Sequence, residues 1–324
     1  GLDAGRVVVS STHTHAGPDV VGLWGESIWR SGRDDAYMRA LYERTVEAVY
    51  AANKAATPAT SKVASRQVEM PWVENRSEPD LLDATLSVMQ FVDGAGRSIA
   101  TLTNFACHPT VLDGENTLIS SDYVGAFYQA MTDFLPGEHL FLQGAIGGWV
   151  QPLVSTDKNA PQDDLLQALD RFGRDVAAAA QGLIAIAGDN PLNKIDYHRK
   201  EFDIPLDNWR FDLLMWLGVL ERDSVDGGMR TEAAWFRLGT AEFVTHPGET
   251  SPAWSLASRQ LMQSEHTFVL GLTQDALGYI LKPEYFADDV KFPHAEYLRS
   301  VSVGAEAGPR LMATLAELVP KSHK

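Results

Sequence analysis

Four short segments place groups that bind metals or move protons directly after stretches that read as strands. The first is Thr12-His13-Thr14-His15-Ala16-Gly17-Pro18, with two histidines two residues apart. On an extended segment such a pair points to one side, because strand side chains alternate. Neutral imidazole is the commonest zinc ligand, so His-x-His at a strand end suits a metal site. The same spacing also suits two polar residues hydrogen-bonded in a turn. The second segment, Asn104-Phe105-Ala106-Cys107-His108-Pro109-Thr110, again ends a strand on a histidine, which alone reads as readily as a satisfied core group. The third, His246-Pro247-Gly248-Glu249-Thr250, sets Glu249 just before a helix start, where a carboxylate is favoured for reasons of helix electrostatics alone. The fourth, Gly278-Tyr279-Ile280-Leu281-Lys282-Pro283-Glu284-Tyr285, lies beyond the last strand, where a tyrosine ordinarily serves packing. Sites in open α/β sheets gather outside strand ends, so the four segments are expected to converge. Two histidines, a carboxylate and a phenol would bind zinc and leave room for water or substrate.

The elements that must position these groups alternate in type. Arg6 to Ser11 reads as a buried strand leading into the histidine turn. Asp35 caps a helix with Tyr37, Leu41, Tyr42, Val46, Val49 and Tyr50 along one face. Strand-like runs follow at Lys62 to Met70, Ala84 to Val92 and Ser98 to Cys107. Asp93-Gly94-Ala95-Gly96 makes the last two a hairpin. His139 to Leu142 runs into the glycine-rich 144–148, and Pro161 to Ala187 is a long amphipathic helix. Ala234 to Thr245 alternates as a strand, Ser251-Pro252 opens another helix, and Thr267 to Leu272 is the last strand. The fold class expected is α/β: a layered mixed β-sheet with flanking helices, in one domain over 1–324 with no repeat and no linker.

The 324 residues suffice for a core that needs no staples, and the single Cys107 excludes an intrachain disulfide. Forty-three acidic against 27 basic side chains give a net charge of −16, which repels a nucleic acid at long range. The longest apolar run, Leu213 to Leu220, falls far short of the ~20 residues that span a bilayer. The chain opens on Gly1 and shows no signal peptide, which leaves its targeting open.

Taken together, the motifs resemble those of the neutral ceramidases, zinc amidases that cleave the N-acyl bond of ceramide. Thr12 to Pro18 is similar to the family's histidine signature, Asn75-Arg76-Ser77 to its Asn-Arg-Ser segment, and Phe105 to Thr110 to its second histidine motif. Ser120-Ser121-Asp122-Tyr123, Gln143-Gly144, Pro247-Gly248-Glu249 and Gly278-Tyr279 continue the match in order along nearly the whole chain. The resemblance implies an α/β catalytic domain with zinc held by His13, His108, Glu249 and Tyr279. It implies that His15 lies beside the metal and contacts substrate, and that Arg76 binds substrate and steadies charge on the amide oxygen. Tyr297 resembles a second active-site tyrosine. The implied partner is a small N-acyl amide or lipid, and the implied location is secreted, periplasmic or cell-surface.

Two departures stand out. The family's glycine-rich loop continues with an aspartate and a serine-proline, whereas this chain reads Gly147-Gly148-Trp149-Val150-Gln151-Pro152. The family also carries sheet ahead of the histidine signature and an immunoglobulin-like domain after the catalytic one. The expectation is therefore a ceramidase-like domain shortened at its start and without that second domain.

The expected reaction is amide hydrolysis by metal-activated water. Trp209 to Leu220 reads either as the lining of an acyl groove or as an amphipathic helix against the core. A metal-dependent amidohydrolase on a (β/α)₈ barrel would also use His-x-His, with His198 and His246 as further ligands, but the eightfold alternation is missing. A metallo-β-lactamase site expects an aspartate two residues after the second histidine, and Asp19 lies four after His15. A non-catalytic zinc- or lipid-binding relative is the remaining alternative, favoured by the altered loop and opposed by the four intact ligand positions.

Overall fold

The computed structural model describes residues 3–69, 71–112, 116–153, 161–222, 224–225 and 227–321. Two mixed β-sheets lie face to face, with helices on both outer sides. In the first sheet the order is Glu138–Gln143, Ser98–Phe105, Thr85–Val92, Thr60–Gln67 and Gly188–Asn190; only the first pair is parallel. In the second the order is Thr267–Leu270, Ala241–Thr245, Gly228–Leu238 and Ile195–Pro205, again with one parallel pair, the first.

Strand alternation explains the layering. Val63 and Met89 of the first sheet meet Phe243, Phe268 and Leu270 of the second in a closed core between them. Their neighbours Ala64 and Val88 face the other way, against the helices Tyr123–Phe134 and Gln162–Ala185. On the far side, Trp235, Val244 and Val269 pack against Ala307–Leu318 and Pro252–Leu261. Buried polar side chains stitch the sheets together. The Ser87 hydroxyl donates to Thr267 O at 2.8 Å, and the Asn104 amide donates to Val269 O and accepts from Val269 N at 3.0 and 3.1 Å.

Several elements differ from the sequence expectation. Arg6 to Ser11 is not a strand: a 3₁₀ turn covers Ala4–Arg6, and only Ser10 bridges the sheet edge, at Thr273. Ala234 to Thr245 is two strands rather than one, because Gly239 turns the chain with φ +66°. The helix Asp35–Lys54 forms, but its cap is Asp34, whose carboxylate accepts from Tyr37 N, and not Asp35; Met38 is its only buried residue and the apolar face is open. Trp209–Trp216 is the core-packed alternative: Phe211 is buried and Leu214 and Met215 pack on the second core. No described helix is long and apolar enough to cross a membrane.

His246 and His198, the further ligands a barrel enzyme would need, have other work. His198 stacks on Trp235. His246 is fully buried, with Nδ1 2.8 Å from the Thr250 hydroxyl and Nε2 3.0 Å from that of Ser258. Burial, then the charge of Arg259, lowers its pKa to about 3, partly offset by Asp83. A histidine depressed in the fold is charged first in the unfolded chain, so its contribution to stability is lost as pH falls below about 6.5. The slope it adds approaches ~1.4 kcal/mol per pH unit. His246→Gln is expected to flatten the loss of stability between pH 6.5 and 5, read from denaturant midpoints; an unchanged slope would contradict it.

Candidate metal centre

The second and third motif segments leave the two sheets at the same end, and the first and fourth are brought there by loops. The parallel pairs 98–105 with 138–143 and 241–245 with 267–270 end there together, and Gly271 N donates to Gln143 O at 2.9 Å across them. The glycine-rich turn then folds under the glutamate motif. Gly147 N donates to Thr250 O at 2.8 Å, and a Cβ on Gly147 would come within 2.4 Å of the Glu249 carbonyl oxygen. Only glycine permits that approach. A two-residue parallel pairing sets Glu249 beside Tyr279.

This convergence brings His13, His15 and His108 together, with ligand nitrogens all within 4.8 Å of one another. His13 Nε2 lies 3.1 Å from His15 Nε2 and 3.5 Å from Glu249 Oε1. His108 Nε2 lies 2.9 Å from Glu249 Oε2. Tyr279 is buried next to Glu249, its partner in that pairing. The four ligand positions implied by the resemblance thus stand side by side, and His15 is as near to His13 as any of them. His13 reaches the centre from a left-handed backbone, φ 68°, and not from the extended segment expected. Such strain in a residue with a side chain is held by its surroundings and gathers at functional sites.

The donor set is rich in lone pairs. His108 Nδ1 lies 2.7 Å from the carbonyl oxygen of Val150, an acceptor, so the proton is assigned to Nδ1. Nε2 then turns a lone pair toward a buried carboxylate at 2.9 Å. Two acceptors at that distance repel unless a metal ion or a proton lies between them. A divalent ion fits this arrangement of imidazole nitrogens and carboxylate oxygens, and the Val150 carbonyl is the kind of outer partner that orients a metal-binding histidine.

Burial alone would raise the Glu249 carboxyl, but the His13 and His108 imidazoles hold it well below the usual carboxylate range. Burial, then Glu249, then Tyr297 push the Tyr279 hydroxyl well above its ordinary value. Desolvation, then the crowding of His13 and His108, lowers His15 to about 3. His15 is exposed at the surface, so water screens part of that crowding.

Arg76 and Tyr297 sit along one wall of the centre, built on Trp149. The Tyr297 ring stacks on Trp149 at 5.6 Å and 25°, His294 meets the same indole edge-on, and the Arg76 guanidinium lies 5.8 Å from it. Arg76 Nε is also 3.3 Å from Glu74. A cavity of about 370 Å³ opens beside this wall, lined by Glu74, Arg76 and His294 among others. Trp149 and His294, both at positive φ, were not legible as site residues. A left-handed tryptophan has no signature in sequence, although its place in the altered loop was a signal.

No family model matches the sequence, and no curated protein matches it. Solved structures do. The crystal structure of neutral ceramidase from Pseudomonas aeruginosa superposes with a TM-score of 0.77 at 17% identity, covering 96% of this chain and 60% of that one. A ceramidase complexed with C2 gives a TM-score of 0.77 at 16% identity, covering 98% of this chain and 63% of that one. The chain thus spans about three fifths of the length of the ceramidases it matches. Across that span it is a mixed α/β, ceramidase-like domain, with the fold of those neutral ceramidases.

Proposed function

We propose that this chain is a zinc-dependent hydrolase of N-acyl amides, ceramide or a relative of it, acting as one catalytic domain. The observation that carries the reading is the clustering of His13, His15 and His108 around the buried Glu249 carboxylate, with His108 Nε2 2.9 Å from it. His13, His108 and Glu249 would hold the ion, with Tyr279 completing the set behind the carboxylate. A zinc ion bound there supplies Lewis acidity, polarising the acyl carbonyl and bringing the pKa of water toward ~7.

The chain's own residues do the rest. Glu249 holds the His13 and His108 imidazoles from the buried side, and Tyr279 stands beside it. In this reading His15, at the open edge, passes a proton from the attacking water to the amine nitrogen as the C–N bond breaks. Arg76 offers a permanent positive charge to the developing oxyanion. Water adds to the acyl carbon, the amine leaves with the proton, and a fatty acid and a free amine result.

The wall at Trp149 bears on the substrate. An indole stands here in a loop that lacks the family's aspartate and serine, which supports a leaving amine of different shape from a sphingoid base. Trp149→Gly suits the left-handed backbone and opens the wall. It is expected to raise kcat/KM for a long-chain amine over a short one by about tenfold or more, the scale of hydrophobic pocket discrimination. An unchanged ratio would remove Trp149 from the substrate path.

The reading is tested with a panel of N-acyl amides on chelator-treated and zinc-restored protein. Zinc-restored hydrolysis of at least one amide is the expected result. Stoichiometric zinc without hydrolysis of any would favour a binding protein built on the same scaffold.

A further inference from the structure

Both histidine segments are tied to one buried side chain for which the proposed chemistry has no use. Gln143 ends the strand Glu138–Gln143 and is fully buried. Its Nε2 donates to Thr12 O at 3.1 Å and to Cys107 O at 2.8 Å. Its Oε1 accepts from Cys107 N at 3.2 Å and from Gly144 N at 3.1 Å. A primary amide has two donor hydrogens and two acceptor lone pairs, and all four are used.

The partners are the point. Thr12 and Cys107 immediately precede His13 and His108, so one amide bridges the two segments that carry the facing imidazoles. Cys107 has a second support, since the Tyr123 hydroxyl donates to its carbonyl at 2.7 Å. The Thr12 side is held more loosely, through Ser11 N to Leu272 O at 3.1 Å and the Thr14 hydroxyl to Ser120 O at 2.7 Å. Those anchors fix the turn to other parts of the molecule, whereas Gln143 fixes it to the second histidine. His13 is the residue that needs holding, because its backbone sits at φ 68°.

We propose that Gln143 is the positioning residue of the centre: its amide sets the spacing of the His13 and His108 rings, whose centroids lie 5.2 Å apart. It touches no substrate and acts through the two segments it bridges. The consequence for zinc affinity rests on the metal reading above, but the spacing itself does not.

The experiment compares Gln143→Ala with Asn190→Ala. Asn190 is an equally buried amide whose side chain bonds Ser61, Leu238 and Thr240. It pairs with Ser61, at the end of the first sheet away from Phe105 and Gln143. Both variants lose stability, so Tm does not discriminate between them. Cross-relaxation between the His13 and His108 imidazole protons, in zinc-free protein labelled at histidine, does.

The cross-peak is expected in the wild type and in Asn190→Ala and is expected to vanish in Gln143→Ala. Zinc affinity by chelator competition is expected to fall about 10- to 100-fold in Gln143→Ala alone, the usual cost of losing an outer partner. An intact cross-peak in Gln143→Ala would overturn the proposal. Should Gln143→Ala fail to fold, Gln143→Glu keeps an acceptor and removes the donor to Thr12, and the same cross-peak decides. If the wild type binds no zinc, the metal reading falls and the cross-peak still tests the bridge.

Discussion

Replacing Glu249 with glutamine is expected to strip zinc from the protein and lower kcat/KM for amide hydrolysis by more than about 100-fold. The lower bound follows from scale: losing even an outer partner of a metal ligand costs about 10- to 100-fold, and Glu249 faces two imidazoles directly. Glutamine keeps the size of the side chain but supplies a neutral oxygen and an NH₂ group. The amide would donate to the His108 lone pair and satisfy it without a cation, so the variant is expected to fold normally. Zinc content and activity should therefore fall together while the unfolding midpoint stays at or above that of the zinc-free wild type. Full zinc content in Glu249→Gln would show that the carboxylate is not a ligand.

The second large effect lies on stability. Asp83 is buried, and Arg259 Nε donates to its carboxylate at 2.8 Å while Nη1 donates to Thr267 O and Oγ1 at 2.6 and 2.9 Å. The Ser255 hydroxyl donates to the same carboxylate. This network joins the entry to one sheet, a helix and a strand of the other sheet. Removing one partner of a buried pair strands the other charge and costs about 3–5 kcal/mol, so Arg259→Ala is expected to lower Tm by about 10 °C.

The pH dependence carries the sign. Burial would raise the Asp83 carboxyl, but Arg259 and the hydrogen bonds leave it lowered overall. A depressed carboxyl contributes stability above its unfolded value near ~3.9, and loses it as pH falls through the folded one. Without Arg259 the burial effect prevails and the folded carboxyl is raised instead. The variant's deficit should then be greatest at pH 7 and shrink toward pH 5, where Asp83 takes up a proton. A deficit that is constant with pH would mean that the loss is one of packing.

The chemistry was the most legible part of the sequence. His108 and Glu249 follow strands that end side by side, as their positions suggested, whereas the strand expected before His13 is absent and loops carry His13 and Tyr279 to the same place. Local signals also worked: Asp93 to Gly96 made its hairpin, and Ser251-Pro252 capped and opened its helix. What escaped was non-local. Nothing near Ser87 or Asn104 announces that their side chains bond Thr267 and Val269 of a second sheet. The periodicity of Tyr37 to Tyr50 gave a helix correctly but could not say that its apolar side lies open. The bridge made by Gln143 is hidden for the same reason, since the four bonds of one amide depend on backbone groups far apart in sequence.

Metal content is the most direct test of the central claim. Wild-type protein, purified without chelator and equilibrated with a small excess of zinc, should retain about one zinc ion per chain after gel filtration. His108→Ala, treated identically, should retain none. Wild-type protein that emerges without zinc would contradict the metal centre, leaving the contact between His108 and Glu249 to be bridged by a proton.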